Sequence, residues 1–281
     1  MLTVTGIAKR GFFIPYSNAG SATFAGRRRS YEAVELLFRN CRHDLDAFLA
    51  EMESWSDVLI GMGDAPPPAP RWRQDWFPRL DAAAAYVMVR RFEPRRIVEI
   101  GCGHSTRFVA QAVRDAGLAT EITAIDPAPR ADLGTLPLTL QRAFVQDLPL
   151  AIFAELAAGD FLMIDSSHIM MPGSDVDFLF DRVLPLLPSG VIVHVHDIFL
   201  PDDYPPAWEW RGYNEQQMVI PLLTSGGWAV LHASHYLATR MAERLAAGPL
   251  ADLPLVPGAP ESSLWMRKTT PAVGPIDALR S

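Results

Sequence analysis

Cysteine and long apolar runs are both scarce in this chain, and each absence limits the class of protein. Cys41 and Cys102 are its only cysteines, so no framework of disulfides is expected and a reducing compartment fits. No run approaches the ~18 apolar residues of a membrane-spanning helix. The N-terminus also lacks the long apolar stretch of a secretory signal. We therefore expect a cytoplasmic protein with no membrane partner.

Positive charge is also limited. Lysine occurs only at Lys9 and Lys268, and the formal net charge is −7 at pH 7. The short arginine clusters at 27–29 and 95–96 are too small to form the basic surface that nucleic-acid binding needs. We therefore expect a small-molecule substrate and no nucleic acid. The number of subunits stays open, with a homo-oligomer as one alternative.

The chain does contain a strand, a glycine turn and the start of a helix in direct succession. The apolar segment 97–100 leads into Gly101 and Gly103, and Ser105 is placed to cap a helix that ends before Gly117. Glycine lets the backbone approach a ligand closely, and a helix N-terminus presents free N–H groups. This succession predicts a nucleotide-binding site.

The residues around the turn distinguish two kinds of nucleotide. Thr106 stands where a dinucleotide fingerprint has its third glycine. Glu99, just before the turn, would repel a pyrophosphate but could contact an ammonium group directly or through water. About twenty residues on, a second strand ends in Asp126, whose carboxylate suits two ribose hydroxyls. These features favour S-adenosylmethionine and count against a nicotinamide-dependent oxidoreductase, which we keep as a lesser alternative.

At these residues the sequence resembles the class I S-adenosylmethionine-dependent methyltransferases. The segment 99–103 matches their first motif, E/D-x-G-x-G, and Asp126 matches the acidic residue that ends their second strand. A bacterial group of small-molecule methyltransferases has phrases similar to EIGCGHSTRF, IDSSH and HVHDIFLP, which occur here at 99–108, 164–168 and 194–201. The resemblance covers roughly residues 70–240.

The resemblance implies which residues hold the cofactor. Asp147 would accept a hydrogen bond from the adenine amino group, although it could also be an ordinary carboxylate at a helix N-terminus. The full set of cofactor-binding residues that we predict is Glu99, Gly101, Gly103, Ser105, Asp126 and Asp147.

Strands and helices alternate from residue 96 onward, which predicts a mainly parallel sheet covered by helices on both faces. We expect strands at 96–100, 121–125, 138–145, 161–164, 191–195, 228–234 and 262–268. We expect helices at 31–62, 81–91, 105–116, 149–158, 175–187 and 214–224. The resemblance implies a Rossmann-like, doubly wound sheet of seven strands, with the last strand antiparallel between the fifth and the sixth.

A proline-rich segment at 65–70 reads as a linker. It predicts an irregular and helical N-terminal extension or lid at 1–70, followed by a methyltransferase domain at 71–281.

Carboxylates and imidazoles follow the fourth and fifth strands. Asp165 and His168 come after the fourth, and His196 and Asp197 after the fifth. Such groups can hold a divalent cation when they converge. Some O-methyltransferases that resemble this chain bind magnesium at these strand ends, which implies Asp165, His196 and Asp197 as ligands. The imidazole of His196 departs from the usual acidic or amide pair and favours manganese, iron or zinc over magnesium.

The same residues have other interpretations. His168 or His196 could take a proton from the methyl acceptor, because imidazole titrates near neutral pH. His168 could equally be structural, and Asp165 and Asp197 could contact the substrate or form structural hydrogen bonds. His194 shares a strand face with His196 and is expected to be a hydrogen-bonded core residue.

Aromatic residues follow the fifth strand at Tyr204, Trp208, Trp210 and Tyr213. They could stack against an acceptor or pack as a lid, and Phe12, Phe13 and Tyr16 could close over the cofactor in the same way. We predict an enzyme that transfers a methyl group to a small molecule, most readily to a hydroxyl, with assistance by a divalent metal left open. A protein that binds S-adenosylmethionine without transferring methyl is the main alternative.

Overall fold

A mixed sheet forms the centre of the computed structural model, which describes residues 2–8, 11–12, 17, 30–63 and 65–274. Its strands are β1 Arg96–Ile100, β2 Glu121–Ile125, β3 Thr139–Gln141, β4 Phe161–Ile164, β5 Ile192–Val195, β6 Trp228–Ala233 and β7 Leu264–Lys268. Their spatial order is β3-β2-β1-β4-β5-β7-β6. Only β7 runs antiparallel to its neighbours in this sheet. The predicted seven-stranded Rossmann-like fold is therefore confirmed, with the last strand between the fifth and the sixth.

Helices cover the sheet on both sides. The α-helices are α1 Glu32–Asn40, α2 Arg42–Ser54, α3 Ser56–Ile60, α4 Arg79–Phe92, α5 His104–Ala116, α6 Asp175–Phe178, α7 Gln216–Thr224, α8 Ser234–Arg240 and α9 Ala242–Ala246. Short 3-10 turns occur at Val145–Asp147, Leu150–Ile152, Leu184–Leu186, Pro206–Arg211 and Pro249–Asp252. Within the described ranges, no helix has the length and apolar character needed to cross a membrane.

The core lies along the central strands, because these are buried on both faces. Val98 of β1 pairs with Leu162 of β4, which pairs with Val193 of β5, so a row of apolar side chains crosses the sheet. A parallel strand covered on both sides needs such a continuous apolar sequence. The alanine-rich α4 packs closely against α5, since Ala82–Ala85 are fully buried and small.

The N-terminal helices pack on the same core. Helix α2 contacts both α4 and β6, and its Phe48 ring lies 5.5 Å from the ring of His232 in β6. The predicted single helix over 31–62 is wrong in detail, because the chain turns at Cys41 and Trp55 and forms three helices. Phe13 and Tyr16 lie outside the described residues, and the described Phe12 is exposed.

The predicted helix over 149–158 is also wrong. Successive N–H groups there donate to carbonyls three residues back, as in Phe153 N–H to Leu150 O at 3.0 Å and Leu156 N–H to Phe153 O at 3.2 Å. A 3-10 turn repeats every three residues, so Phe153 and Leu156 both face the core. Likewise β3 is shorter than the predicted 138–145.

The helix predicted over 175–187 changes form along its length. Ser174 caps it, accepting the Asp177 N–H at 3.2 Å. After Phe178 the backbone widens into a π turn at Leu179–Val183. It then tightens into the 3-10 turn Leu184–Leu186, where Pro185 has no N–H to donate.

Asp160 holds the start of β4 beside the start of β1. It lies at the edge formed by the N-terminal ends of the parallel strands. It is 3 % exposed, and its Oδ1 accepts the N–H groups of Arg95 and Arg96, both at 2.9 Å. Its Oδ2 accepts the Ala157 N–H at 2.9 Å. One buried carboxylate therefore satisfies three backbone donors from two segments.

We expect Asp160→Ala to lower the free energy of unfolding by about 2–4 kcal/mol, because three partly buried backbone donors lose one shared acceptor and a lost hydrogen bond costs ~1 kcal/mol or more. Urea denaturation followed by circular dichroism measures this loss. Glu121→Ala is the matched control at the same edge. It removes an exposed ion pair with Arg96 and should cost less than ~1 kcal/mol. Equal losses for the two variants would show that Asp160 does not hold the strands together.

Candidate functional site

A cavity of about 560 Å³ opens at the carboxyl ends of the parallel strands. Its wall comes from the loops that follow β1, β2, β4 and β5, together with segments 75–77, 208–213 and 256–260. Eight of the predicted site residues line it: Gly101, Gly103, Ser105, Asp126, Asp165, His168, His196 and Asp197. Open α/β sheets bind ligands at this edge.

The two glycines of the first turn have different roles. Gly101 has φ +73°, and a Cβ there would lie 2.1 Å from the backbone oxygen of Asp165. Gly103 has an extended φ of 177°, and a Cβ there would meet only the Ala131 Cβ at 3.8 Å. Gly101 is therefore needed by the fold itself, whereas Gly103 leaves open space beside the cavity. Gly103 is also the N-cap of α5, so the prediction that Ser105 caps this helix is wrong.

Glu99 lies beneath the turn, not in the cavity wall. It is 2 % exposed, and its Oε1 accepts the Ser105 hydroxyl at 2.5 Å. Its Oε2 has no hydrogen-bond partner among the described residues. Burial raises the pKa of Glu99 to about 7, and the negative charges of Asp165 and Asp126 add to the shift. Glu99 therefore supports the first turn of α5 through Ser105, and a direct contact with a ligand would need the turn to open.

Asp126 and Asp147 are placed differently. Asp126 lines the cavity, and it accepts the Cys102 N–H at 3.1 Å and the Ala128 N–H at 2.7 Å, which hold its carboxylate beside the glycine turn. Asp147 is exposed on the turn Val145–Asp147 and is not one of the residues that line the cavity. Its position gives no support to the predicted contact with adenine.

His168 lies at the centre of a cluster of carboxylates. Its Nδ1 is 2.8 Å from Glu215 Oε2, and its Nε2 is 3.3 Å from Asp165 Oδ1 and 3.5 Å from Asp197 Oδ2. The ring is buried, as is Glu215, whereas the Asp165 side chain is 45 % exposed. Both ring nitrogens therefore face negative charge.

The backbone around His168 is tied to the start of α7. His168 has φ +60°, and its carbonyl accepts the N–H groups of Asn214 and Glu215. Ser166 donates its hydroxyl to Glu215 Oε1 at 2.9 Å and accepts the His168 N–H at 2.9 Å. These bonds hold the carboxylate of Glu215 against the ring.

The charges of this cluster shift its pKa values in opposite directions. Burial acts to lower the pKa of His168, but the hydrogen bonds to Asp165 and Glu215 outweigh it and raise that pKa well above the ordinary value. Burial likewise opposes the charge of Asp165, yet the bond to His168 and the field of His196 lower the pKa of Asp165 to about 2. His168 is therefore an imidazolium at neutral pH, and Asp165 is a carboxylate.

His194 lies in β5, and His196 follows directly after this strand on the same side. His196 lines the cavity, and its Nε2 lies 2.8 Å from the backbone oxygen of Trp76. Burial acts to lower its pKa, but the charges of Asp197, Asp165 and Asp81 raise it. His194 is 1 % exposed and contacts the Ser263 hydroxyl at 2.9 Å, which agrees with the predicted core role.

The predicted metal ligands do not fit a metal centre in this arrangement. A carbonyl oxygen only accepts, so His196 Nε2 carries the proton in its 2.8 Å contact with Trp76, and the other ring nitrogen, Nδ1, lies 3.5 Å from the Ser263 hydroxyl. Asp165 and Asp197 both face the imidazolium of His168 instead of a common point. Across the part of the chain that the structure describes, no three His, Cys, Asp or Glu side chains are grouped to hold an ion.

Two contacts of the site have no signal in the sequence. Glu215 lies at the start of a predicted helix, and only the fold brings it to His168. The contact of Trp76 with His196 joins residues 120 positions apart, which no local pattern shows. Of the aromatic residues after β5, Trp208 and Tyr213 line the cavity, whereas Tyr204 is buried behind it and Trp210 is 81 % exposed.

Comparison with known proteins agrees with this geometry. Residues 98–198, from β1 to just after β5, match the family described as "Methyltransferase domain". The match spans just over a third of the chain and includes the glycine turn, Asp126, the His168 segment and His196 with Asp197. This part of the chain is thus similar to that family. No curated protein matches the chain.

Several solved structures are similar at low identity. The Podospora anserina methyltransferase PaMTH1, bound to S-adenosylhomocysteine (SAH), is 17 % identical over 93 % of this chain and 100 % of that one, with a TM-score of 0.42. The plantazolicin methyltransferase BpumL, with a triazolic substrate analogue and SAH, is 13 % identical over 85 % and 100 %, with a TM-score of 0.44. A Mg-SAM form of CmcI is 17 % identical over 73 % and 88 %, with a TM-score of 0.38.

The protonation of His168 can be observed directly by NMR of its ring nitrogens. We expect His168 to stay protonated well above pH 6.5 and Glu215→Gln to lower its pKa, because one of its carboxylate partners is lost. Folding raises the pKa of His168, so the protonated ring stabilises the folded state. This stabilisation is complete below pH 6.5 and disappears as the pH rises through the pKa of His168 in the folded protein. In Glu215→Gln this loss should occur at lower pH.

His232 is the internal control for this titration. Burial alone lowers its pKa to about 3, so it should remain neutral in both proteins. A His168 that titrates near 6.5 in the wild type would contradict the imidazolium assignment.

Proposed function

We propose that this protein transfers a methyl group from S-adenosylmethionine to a hydroxyl of a small molecule. The observation that carries the proposal is that one cavity is lined both by the glycine turn with Asp126 and by the charged cluster around His168. The match of residues 98–198 to a methyltransferase domain supports the same reaction.

The half of the cavity beside α5 would hold the cofactor. S-adenosylmethionine, when bound, supplies an electrophilic methyl group. Gly103 leaves room for a ligand against the backbone, and the Asp126 carboxylate is fixed beside it for ribose hydroxyls. Ser105 lines the same wall, supported from below by Glu99.

The half beside β4 and β5 would hold the acceptor. Because His168 is already protonated, we assign it the stabilisation of the developing oxyanion, in place of the general-base role predicted from sequence. The half-exposed Asp165 carboxylate would accept a hydrogen bond from the acceptor hydroxyl, whose proton would leave to water. The acceptor oxygen would form the new bond to the methyl carbon with its lone pair as the sulfur–methyl bond breaks and SAH is left, with the two groups held in line by the cavity.

Binding of SAH tests the cofactor half. We expect Gly103→Ala to leave thermal stability close to that of the wild type but to weaken SAH binding about tenfold or more, since a methyl group would fill the open space beside the turn. Calorimetry measures the affinity. Gly101→Ala is the contrasting variant and should destabilise the fold, because its Cβ meets backbone and its φ is strained. Unchanged SAH affinity in Gly103→Ala would contradict the assigned pocket.

Turnover tests the acceptor half. With a panel of phenols and hydroxy acids, we expect Asp165→Asn and His168→Gln to slow SAH formation about 100-fold or more while SAH affinity stays near the wild-type value.

We also expect EDTA to leave the rate unchanged, because the site residues do not fit a metal. Loss of activity with EDTA and its recovery with manganese would overturn the metal-free mechanism, and SAH binding without turnover on any acceptor would favour a binding protein.

A further inference from the structure

The wall of the cavity contains an arginine that has no counter-charge among the described residues. Arg211 ends the 3-10 turn Pro206–Arg211, and its guanidinium carbon is 3.9 Å from the ring centre of Trp208 and 5.3 Å from that of Tyr213. Its Nη1 donates to the Tyr213 hydroxyl at 3.3 Å. Two aromatic faces therefore hold the guanidinium in one orientation.

Several partly buried arginines have carboxylate partners, whereas Arg211 has none, and Arg90 and Arg107, which share that lack among the described residues, lie outside the cavity wall. Arg79 pairs with Glu261 at 2.8 Å, Arg240 with Asp202 and Arg244 with Glu53 at 2.7 Å. Arg211 has no carboxylate within ion-pair distance among the described residues, and its Nε is buried with no hydrogen-bond partner. A buried N–H of a cation without an acceptor is unfavourable, and an anion bound in the cavity would supply that acceptor.

The position of Arg211 relates it to the acceptor half of the cavity. The Tyr213 ring that carries its hydrogen bond also contacts the His168 ring, with 4.6 Å between their centres. Only Tyr213 therefore separates Arg211 from the charged cluster where the acceptor hydroxyl would react. Arg130, another arginine in the wall, lies over Trp76 at 5.4 Å, close to Asp126 in the cofactor half.

The charge of the wall restricts the group that Arg211 can receive. Carboxylates already line the cavity at Asp75, Asp126, Asp165 and Asp197. An anionic acceptor would be repelled by these groups unless a cation received its negative end. One guanidinium matches one carboxylate in charge and in planar geometry, whereas a phosphate would bring a second negative charge.

We propose that Arg211 binds a carboxylate of the methyl acceptor, so that the acceptor is a hydroxy acid with its carboxylate remote from the reacting hydroxyl. This inference rests on the proposed function for the identity of the reacting group, but the binding of the carboxylate can be measured separately. Arg211 is then a specificity-determining residue, and the stacked Trp208 and Tyr213 keep its charge in place.

Matched ligands test the inference on the full-length protein loaded with SAH. The probes are three hydroxybenzoates, the corresponding hydroxybenzamides and the corresponding phosphonates, with binding measured by calorimetry. We expect each hydroxybenzoate that binds to do so about tenfold or more tightly than its amide, since the amide has the same shape without the charge. Arg211→Met should remove this preference, and Arg211→Lys should restore it only in part, because an ammonium lacks the planar fork.

Two controls separate a binding role from a structural one. Arg182→Met removes an exposed arginine outside the cavity wall and should leave the preference intact. SAH affinity should be equal in Arg211→Met and the wild type. For any probe that is methylated, Arg211→Met should raise KM for the carboxylate about tenfold and leave kcat within a few-fold.

The outcomes distinguish the inference from the proposed function. Tighter binding of carboxylates that depends on Arg211, without methylation, would retain the inference and reject methyl transfer to these acceptors. Equal binding of acids and amides in the wild type, failure of every hydroxybenzoate to bind, a preference for phosphonates, or a preference that depends on Arg130 would each overturn the inference.

Discussion

The site depends on one buried imidazolium that is shared by three carboxylates. Asp165, Asp197 and Glu215 come from three separate loops, and without a cation between them their mutual repulsion would open the edge of the sheet. His168 supplies that cation from within the chain. Its left-handed backbone and the bonds from its carbonyl to the start of α7 show how closely the surrounding loops are fitted around this ring.

Much of the fold could be predicted because its signals are local. The apolar segments of β1, β2 and β4 and the glycine that ends α5 are read directly from neighbouring residues. The segment 149–158 could not be read in this way. Its composition is compatible with a helix, and the burial of Phe153 and Leu156 in the core favours 3-10 turns instead. Tertiary packing outweighs local preference where an element is short.

The site was predictable to the same extent and for the same reason. Residues at strand ends, such as Asp126, Asp165 and His168, were found because topology places all strand ends at one edge. The chemical roles of these residues could not be predicted, because a role depends on contacts with residues that are distant in the sequence. Glu215 changes His168 from a base into a cation, and the Trp76 carbonyl fixes a proton on His196 Nε2. A sequence motif therefore predicts where the site lies, whereas the contacts of each side chain determine its role.

The distribution of charge in the cavity gives the strongest constraint on the substrate. On the cofactor side, Asp126 is held by two backbone N–H groups and faces the turn. On the acceptor side, His168 lies among carboxylates where the hydroxyl would react, so it is not placed to receive a remote anionic group. Arg211 has no such partner among the described residues and lies beyond Tyr213. On the acceptor side the wall thus contains one cation at the reaction centre and, at Arg211, one without a carboxylate partner among the described residues, and a ligand with a hydroxyl near the first and a carboxylate near the second would satisfy both.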